Sequence, residues 1–231
     1  MPRPLVPDRR RRILDAAREL ILEQGWPETT VAQLATRAGI GKGAVYLEFA
    51  DKPAILDAVL QRSLRGLTAQ VHARVVDAPG LVDLPALYRF GVEALLDEPL
   101  MLALYVGDER VLGSHVQGVD DERYLTRMVW LGDYVLRLQR AGVIDATIDA
   151  DSIVRVLSVF TVGLIHAPGL LGAVSPARLR ESVELFADLV GRGLATGLPA
   201  DPDAARAAQL TLIERLGAQL DAAPLDAPED P

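Results

Sequence analysis

Apolar residues recur along this chain at intervals of three and four, the spacing of one face of an α-helix. Ile13, Ala17, Leu20 and Ile21 set the pattern in a first helix, expected from about Arg9 to Glu23 and stopped by Gly25. Val31, Leu34, Ala35 and Ala38 repeat it in a short second helix. Its start is marked by Thr30 with Gln33, a hydroxyl and an amide at capping-box spacing. Gly39-Ile40-Gly41 breaks it, and a third helix is expected over about Lys42 to Phe49, with Val45 and Phe49 inward. Asp51 is suited to cap a fourth, which carries Ile55, Leu56, Val59, Leu60 and Leu64 inward and runs to about Leu67.

The remainder follows the same period. Helices are expected over Leu84–Leu96, Pro99–Val106 and Asp120–Ala141, the last with Tyr124, Met128, Leu131, Val135 and Leu138 inward. A very apolar helix capped by Asp149 should reach His166, where Pro168-Gly169 breaks it. Ser175-Pro176 reads as a cap followed by proline at the first helical position, opening a helix to about Thr196. A last helix is expected over about Asp203 to Leu220. Aromatics are scarce at 5% and Ala and Leu dominate, which favours packed helices over sheets, so the fold class is all-α. The pattern divides the chain into a disordered arm (1–8), an N-terminal three-helix helix-turn-helix domain (9–66), a C-terminal helical domain (67–222) and a disordered Pro- and Asp-rich tail (223–231).

Charge sharpens that division. The whole chain is acidic, with a net charge of −8. Residues 1–66 nevertheless hold 11 Lys and Arg against 8 Asp and Glu, a net of +3, and the rest carries −11. A basic front on an acidic back suggests a nucleic-acid module joined to something else. Only two lysines accompany 22 arginines, and both, Lys42 and Lys52, fall in one eleven-residue window. A compact ammonium at each suits a phosphate contact. The basic run Arg9–Arg12 suits either a solvated helix start or an arm against DNA.

Other chemistry finds little support. Cysteine is absent, so disulfides, thiolate metal sites and thiol catalysis are excluded. His72, His115 and His166 share no ligand spacing, so neither a metal nor a cofactor is expected. Gly39-Ile40-Gly41-Lys42-Gly43-Ala44 formally matches a dinucleotide fingerprint, but that motif needs a preceding strand and here a helix precedes it. No catalytic constellation is visible, so the chain is not expected to be an enzyme. No stretch reaches the roughly 18 apolar residues that span a bilayer. Nothing near Met1 reads as a signal peptide, so a cytoplasmic protein without a membrane partner is expected.

Two short helices joined by a tight glycine turn form the pattern of a helix-turn-helix, whose second helix offers its N-terminus to DNA. Small Gly43 and Ala44 allow a close approach to the groove, and Tyr46 lies one turn on. The run from Thr30 through Tyr46, its continuation Leu47-Glu48-Phe49-Ala50-Asp51-Lys52, and the upstream Ile13-Leu14-Asp15-Ala16-Ala17 and Gly25-Trp26 resemble the signature of the TetR family. The resemblance covers about residues 9–64. It implies a homodimeric regulator, usually a repressor, that binds double-stranded operator DNA and whose C-terminal domain takes a small effector and dimerises. It implies phosphate contacts by Thr30, Lys42, Tyr46 and Lys52, and groove-facing positions at Gly43, Ala44 and Leu47. Gly41 stands in the same interface where the family often has Ser or Thr, so a hydroxyl cap is lost. Glu48 stands where an aromatic or His is common. It is expected to pair within the protein, for instance with Arg37, rather than accept from a cytosine amine.

Tyr105, Tyr124, Met128, Trp130, Phe160 and His166 suit a mostly apolar cavity with a few polar anchors, placed among residues 88–166, so a largely apolar ligand is expected. Val183, Phe186, Leu189 and Val190 form one stripe on the helix after Ser175. The resemblance implies that this helix and the one before it build the dimer interface. The alternative reading is a constitutive DNA-binding regulator, or an activator, with no effector.

Overall fold

The computed structural model describes residues 8–113, 121–171, 175–197 and 199–222. Every element among them is a helix: α1 (Arg9–Gln24), α2 (Val31–Ala38), α3 (Lys42–Val45), α4 (Lys52–Asp77), α5 (Leu84–Asp97), α6 (Pro99–Val106), α7 (Glu109–Leu112), α8 (Asp121–Arg140), α9 (Ala150–Leu171), α10 (Pro176–Leu194) and α11 (Pro202–Ala222). None of the helices searched is long and apolar enough to cross a membrane.

These helices form two compact units. The first contains the residues up to Leu64 and the segment from Pro99 through α7; the second contains Arg65–Glu98 and the described residues from α8 to α11. The helix α4 therefore contributes to both.

In the first unit α1 lies against α2, and Ile13, Ala17, Leu34, Val45, Ile55, Leu56 and Val59 are essentially without solvent contact. Burial of these side chains stabilises the unit by about 1.5–3 kcal/mol for each large one. Polar ties reinforce the packing. Arg62 of α4 donates to Asp15 Oδ1 at 2.6 Å and to the Leu14 carbonyl at 2.8 Å, so it fastens α4 along α1. Arg37 bridges from α2 to Glu19 and Glu23 of α1 at 3.0 and 2.8 Å. Its hydrogen bond holds the Glu23 carboxyl below the usual carboxylate range.

In the second unit α5 packs along α10, and α8 is flanked by α9 and α11. Tyr134, Val135, Leu138, Ile144, Ile153 and Leu157 centre one core cluster, and Ala205 and Ala208 of α11 close it. A second cluster joins Val71 and Val75 of α4 to Ala94 of α5 and Ile213 of α11. Arg206 and Gln209 donate to the carbonyls of Ala78, Gly80 and Val82, so α11 also satisfies the backbone between α4 and α5.

The caps read from the sequence are present at α4, α9 and α10. Asp51 accepts from Ala54 N at 2.8 Å, Asp149 from Ser152 N at 2.9 Å, and Ser175 from Arg178 N at 3.3 Å. Four bounds differ. The helix α3 ends at Val45, because the chain passes into turns from Tyr46 on. The helix α4 runs ten residues beyond the expected Leu67, since a glycine inside a long helix costs only about 1 kcal/mol. The helix α9 continues past Pro168, which forfeits a single hydrogen bond so near the end. The fourth difference is α7, which the periodicity misses because four residues are too few to establish one.

Candidate nucleic-acid interface

The turn between α2 and α3 is set by Gly39. It takes φ 66 and ψ 37, the left-handed conformation that glycine adopts at no steric cost, and its N–H caps the carbonyls of Ala35 and Thr36. A side chain there would also stand 2.8 Å from the Arg12 guanidinium. Gly41 follows as the extended N-cap of α3, with no side-chain cap, as its identity dictates. Val45 and Phe49 are buried and anchor the segment, so the residues between them turn outward.

That outward face is open. Gly41, Lys42 and Gly43 are exposed, and no atom lies within 4 Å of where a Cβ at Gly41 or Gly43 would be. Tyr46 is 49% exposed and Leu47 is 74% exposed, the highest among the exposed large hydrophobics of the described residues. Gly43 on α3 and Tyr46 and Leu47 in the turn after it are all exposed. Ala44 is half-buried beside them. A small, open ridge with one ammonium and one phenol is suited to enter a DNA groove and touch phosphate at its edge.

The other candidate contacts are engaged within the protein. Thr30 Oγ1 accepts from Gln33 N at 3.2 Å and donates to Gln33 Oε1 at 2.8 Å, while Gln33 Oε1 also accepts from Thr30 N at 2.8 Å. The full capping box is therefore formed, and the Thr30 hydroxyl proton is already committed to Gln33. The Lys52 ammonium donates to the Trp26 carbonyl at 2.9 Å and lies 4.6 Å from the centre of the Trp26 ring. Burial there pushes its pKa down, with Glu28 opposing the shift.

Glu48 does pair within the protein, but with Arg9 at 3.0 Å rather than with Arg37. Arg37 is held on α1 by Glu19 and Glu23, and Arg9 reaches Glu48 instead. Arg10 adds a hydrogen bond to the Glu48 carbonyl at 3.0 Å and stacks over Phe49, 4.3 Å from its centre. The start of α1 is thus lashed to the residues that follow α3. The sequence showed the basic run but offered no signal of its partners.

The described candidate ligand residues divide between the two units. Tyr105 belongs to the first unit, and its buried hydroxyl has no hydrogen-bond partner among the described residues. Trp130 is half-buried on α8 in the second unit. Phe160 stacks on Phe186 with centroids 3.4 Å apart, and Tyr88 meets both rings edge-on. The side chains of Tyr124, Met128 and His166 lie outside the described residues. A concavity of about 210 Å³ lies elsewhere in the second unit, where Leu84 and Pro85 face Val143, Ile144, Val190 and Leu194.

Of the candidate dimer residues, Val183 and Val190 are buried in the chain's own second unit, and Phe186 is half-buried in the ring cluster. Leu189 faces outward with Leu185, and Val156 and Val159 of α9 do the same; all four are between 59% and 68% exposed.

Residues 13–59 match the family model described as bacterial regulatory proteins, tetR family. The chain is 49% identical over 51 residues to the uncharacterized HTH-type transcriptional regulator TtgW of Pseudomonas putida, covering 22% of this chain and 38% of TtgW. It is 38% identical over 69 residues to the HTH-type transcriptional regulator BetI of Escherichia coli, covering 30% of this chain and 33% of BetI. The chain thus spans little more than a third of the length of these curated relatives. A solved structure of a protein with unknown function from Rhodococcus sp. RHA1 is similar over 85% of this chain and 100% of that one, at 27% identity and a TM-score of 0.53.

Proposed function

In its DNA-binding domain the chain belongs to the TetR family, and from that premise we propose that it acts as a homodimeric repressor released from operator DNA by a small, largely apolar ligand. The observation that carries the DNA-binding part is the open ridge of Gly41, Lys42, Gly43, Tyr46 and Leu47, the only side of this segment not turned into the core. Glu48 is neutralised by Arg9, so it does not repel phosphate. Base reading then rests on apolar contacts from Ala44 and Leu47, such as with thymine methyls, and on DNA shape.

Two heads must reach successive major grooves about 34 Å apart, which calls for a dimer. The outward stripe of Val156, Val159, Leu185 and Leu189 supports one through α9 and α10. Gly163 and Gly193 continue the same faces, at helical spacing from Val159 and Leu189, and both are exposed with open space above them. Small residues at these positions let partner helices approach closely. The effector part rests on the apolar and aromatic composition of the second unit, where Trp130 and Phe160 are among the half-buried aromatics.

Salt-dependent DNA binding tests the phosphate role. Lys42→Ala is expected to weaken binding to specific and non-specific duplexes alike, and to flatten the plot of log affinity against log salt by about one unit. An unchanged slope would remove Lys42 from the interface.

A further inference from the structure

The helix α7 is fastened to the turn between α1 and α2. The Trp26 amide donates to the Val111 carbonyl at 2.7 Å, and Leu112 is fully buried. Gly25 takes φ 84, and a Cβ there would stand 2.2 Å from the Arg110 carbonyl oxygen. Both the backbone conformation and the close approach of α7 require glycine at this position. Gly113 lies against the Pro27 ring, where an added Cβ would be 3.4 Å away.

The peptide groups flanking Trp26 face three partners, α7, Lys52 and Thr29, whose N–H also donates to the Trp26 carbonyl at 3.1 Å. Its amide binds α7, while its carbonyl accepts from the Lys52 ammonium at 2.9 Å and its ring lies beneath the same ammonium. We infer that docking of α7 on Trp26 positions the Lys52 ammonium for a DNA phosphate, so that α7 sets DNA affinity without touching DNA. This rests on the DNA-binding reading above. Lysine carries its charge on a flexible stem, and holding it on phosphate costs rotamer entropy. One of its three donors on the Trp26 carbonyl, and the aromatic face below, fix the ammonium in advance and leave two donors for phosphate. Withdrawal of α7 deprives the Trp26 amide of its acceptor and leaves the turn to its internal bonds, Gly25 N–H to the Ile21 carbonyl and Thr29 to the carbonyls of Gly25 and Trp26. Lys52 then rests on a less firmly fixed carbonyl.

Asp108 gives access to this link, because it caps α7 by accepting from Arg110 N at 3.0 Å. Asp108→Ala loosens α7, whereas Asp108→Asn keeps a capping oxygen. Affinity for a duplex recovered by site selection is measured over a salt series, with and without Lys52→Met. In the wild type, Lys52→Met is expected to weaken binding roughly three- to tenfold and to lower the salt slope by about one. In the Asp108→Ala background the same change should cost less than about twofold, and Asp108→Asn should restore the full effect. If Lys52→Met costs as much in Asp108→Ala as in the wild type, α7 is only a structural support.

A second measurement needs no variant. Coupling is reciprocal, so DNA must strengthen α7 docking if docking strengthens DNA binding. Hydrogen exchange of the Trp26 amide should slow several-fold on operator binding. Unchanged exchange in a protein that binds the operator overturns the link alone. A wild-type protein that binds no duplex overturns the DNA-binding reading and this inference with it.

Discussion

Replacing Leu185 and Leu189 together by aspartate is expected to give a folded monomer that no longer holds operator DNA. Both side chains are more than 60% exposed within the subunit, so the change removes little from its own core. In a dimer that covers this stripe, each subunit would bring two carboxylates into an apolar contact. An uncompensated buried charge costs about 3–5 kcal/mol, enough to dissociate the pair at micromolar concentration. Loss of the second head also removes the gain from binding two half-sites at once, so operator affinity should fall by about 100-fold or more. Sedimentation and anisotropy on the same sample check both effects. A variant that still sediments as a dimer would move the interface away from α9 and α10.

Leu34→Ala should have a comparably large effect by a different route. Leu34 is fully buried at the centre of the first unit, and truncation there should cost about 2–5 kcal/mol. Against a total stability on the order of 5–15 kcal/mol, that is enough to melt the DNA-binding unit at modest temperature. Operator binding should disappear while the subunits still associate through α9 and α10. Leu47→Ala is the matched control. Its side chain is 74% exposed, so stability should change by less than about 0.5 kcal/mol even where site preference changes. Equal destabilisation by the two changes would contradict the burial of Leu34 at the centre of this unit.

These residues also indicate how much the sequence could reveal. Where a signal is local it was legible. The Thr30–Gln33 box fixed the start of α2, Gly39 fixed its end, and the inward faces of α1 and α2 follow from spacing alone. Where two apolar faces compete, periodicity fails. The helix α10 carries Val183, Ala187 and Val190 on one side and Leu185 and Leu189 on another, and only packing against α5 tells which is internal. Ion-pair partners were equally hidden. Nothing in the order of residues says that Arg9 rather than Arg37 meets Glu48, because the choice depends on how α1 crosses the residues after α3. The link from α7 to Trp26 joins positions 85 residues apart through backbone groups, which carry no sequence signature at all.

The central claim is that this chain reads DNA as a symmetric pair of heads. Selection of bound duplexes from a random pool by the purified protein tests it most directly. One near-palindromic site should be enriched, its halves centred one helical turn apart or a whole multiple of that, about 10–10.5 base pairs per turn. Recovery of no enriched sequence, or of a single half-site without its inverted copy, would contradict it.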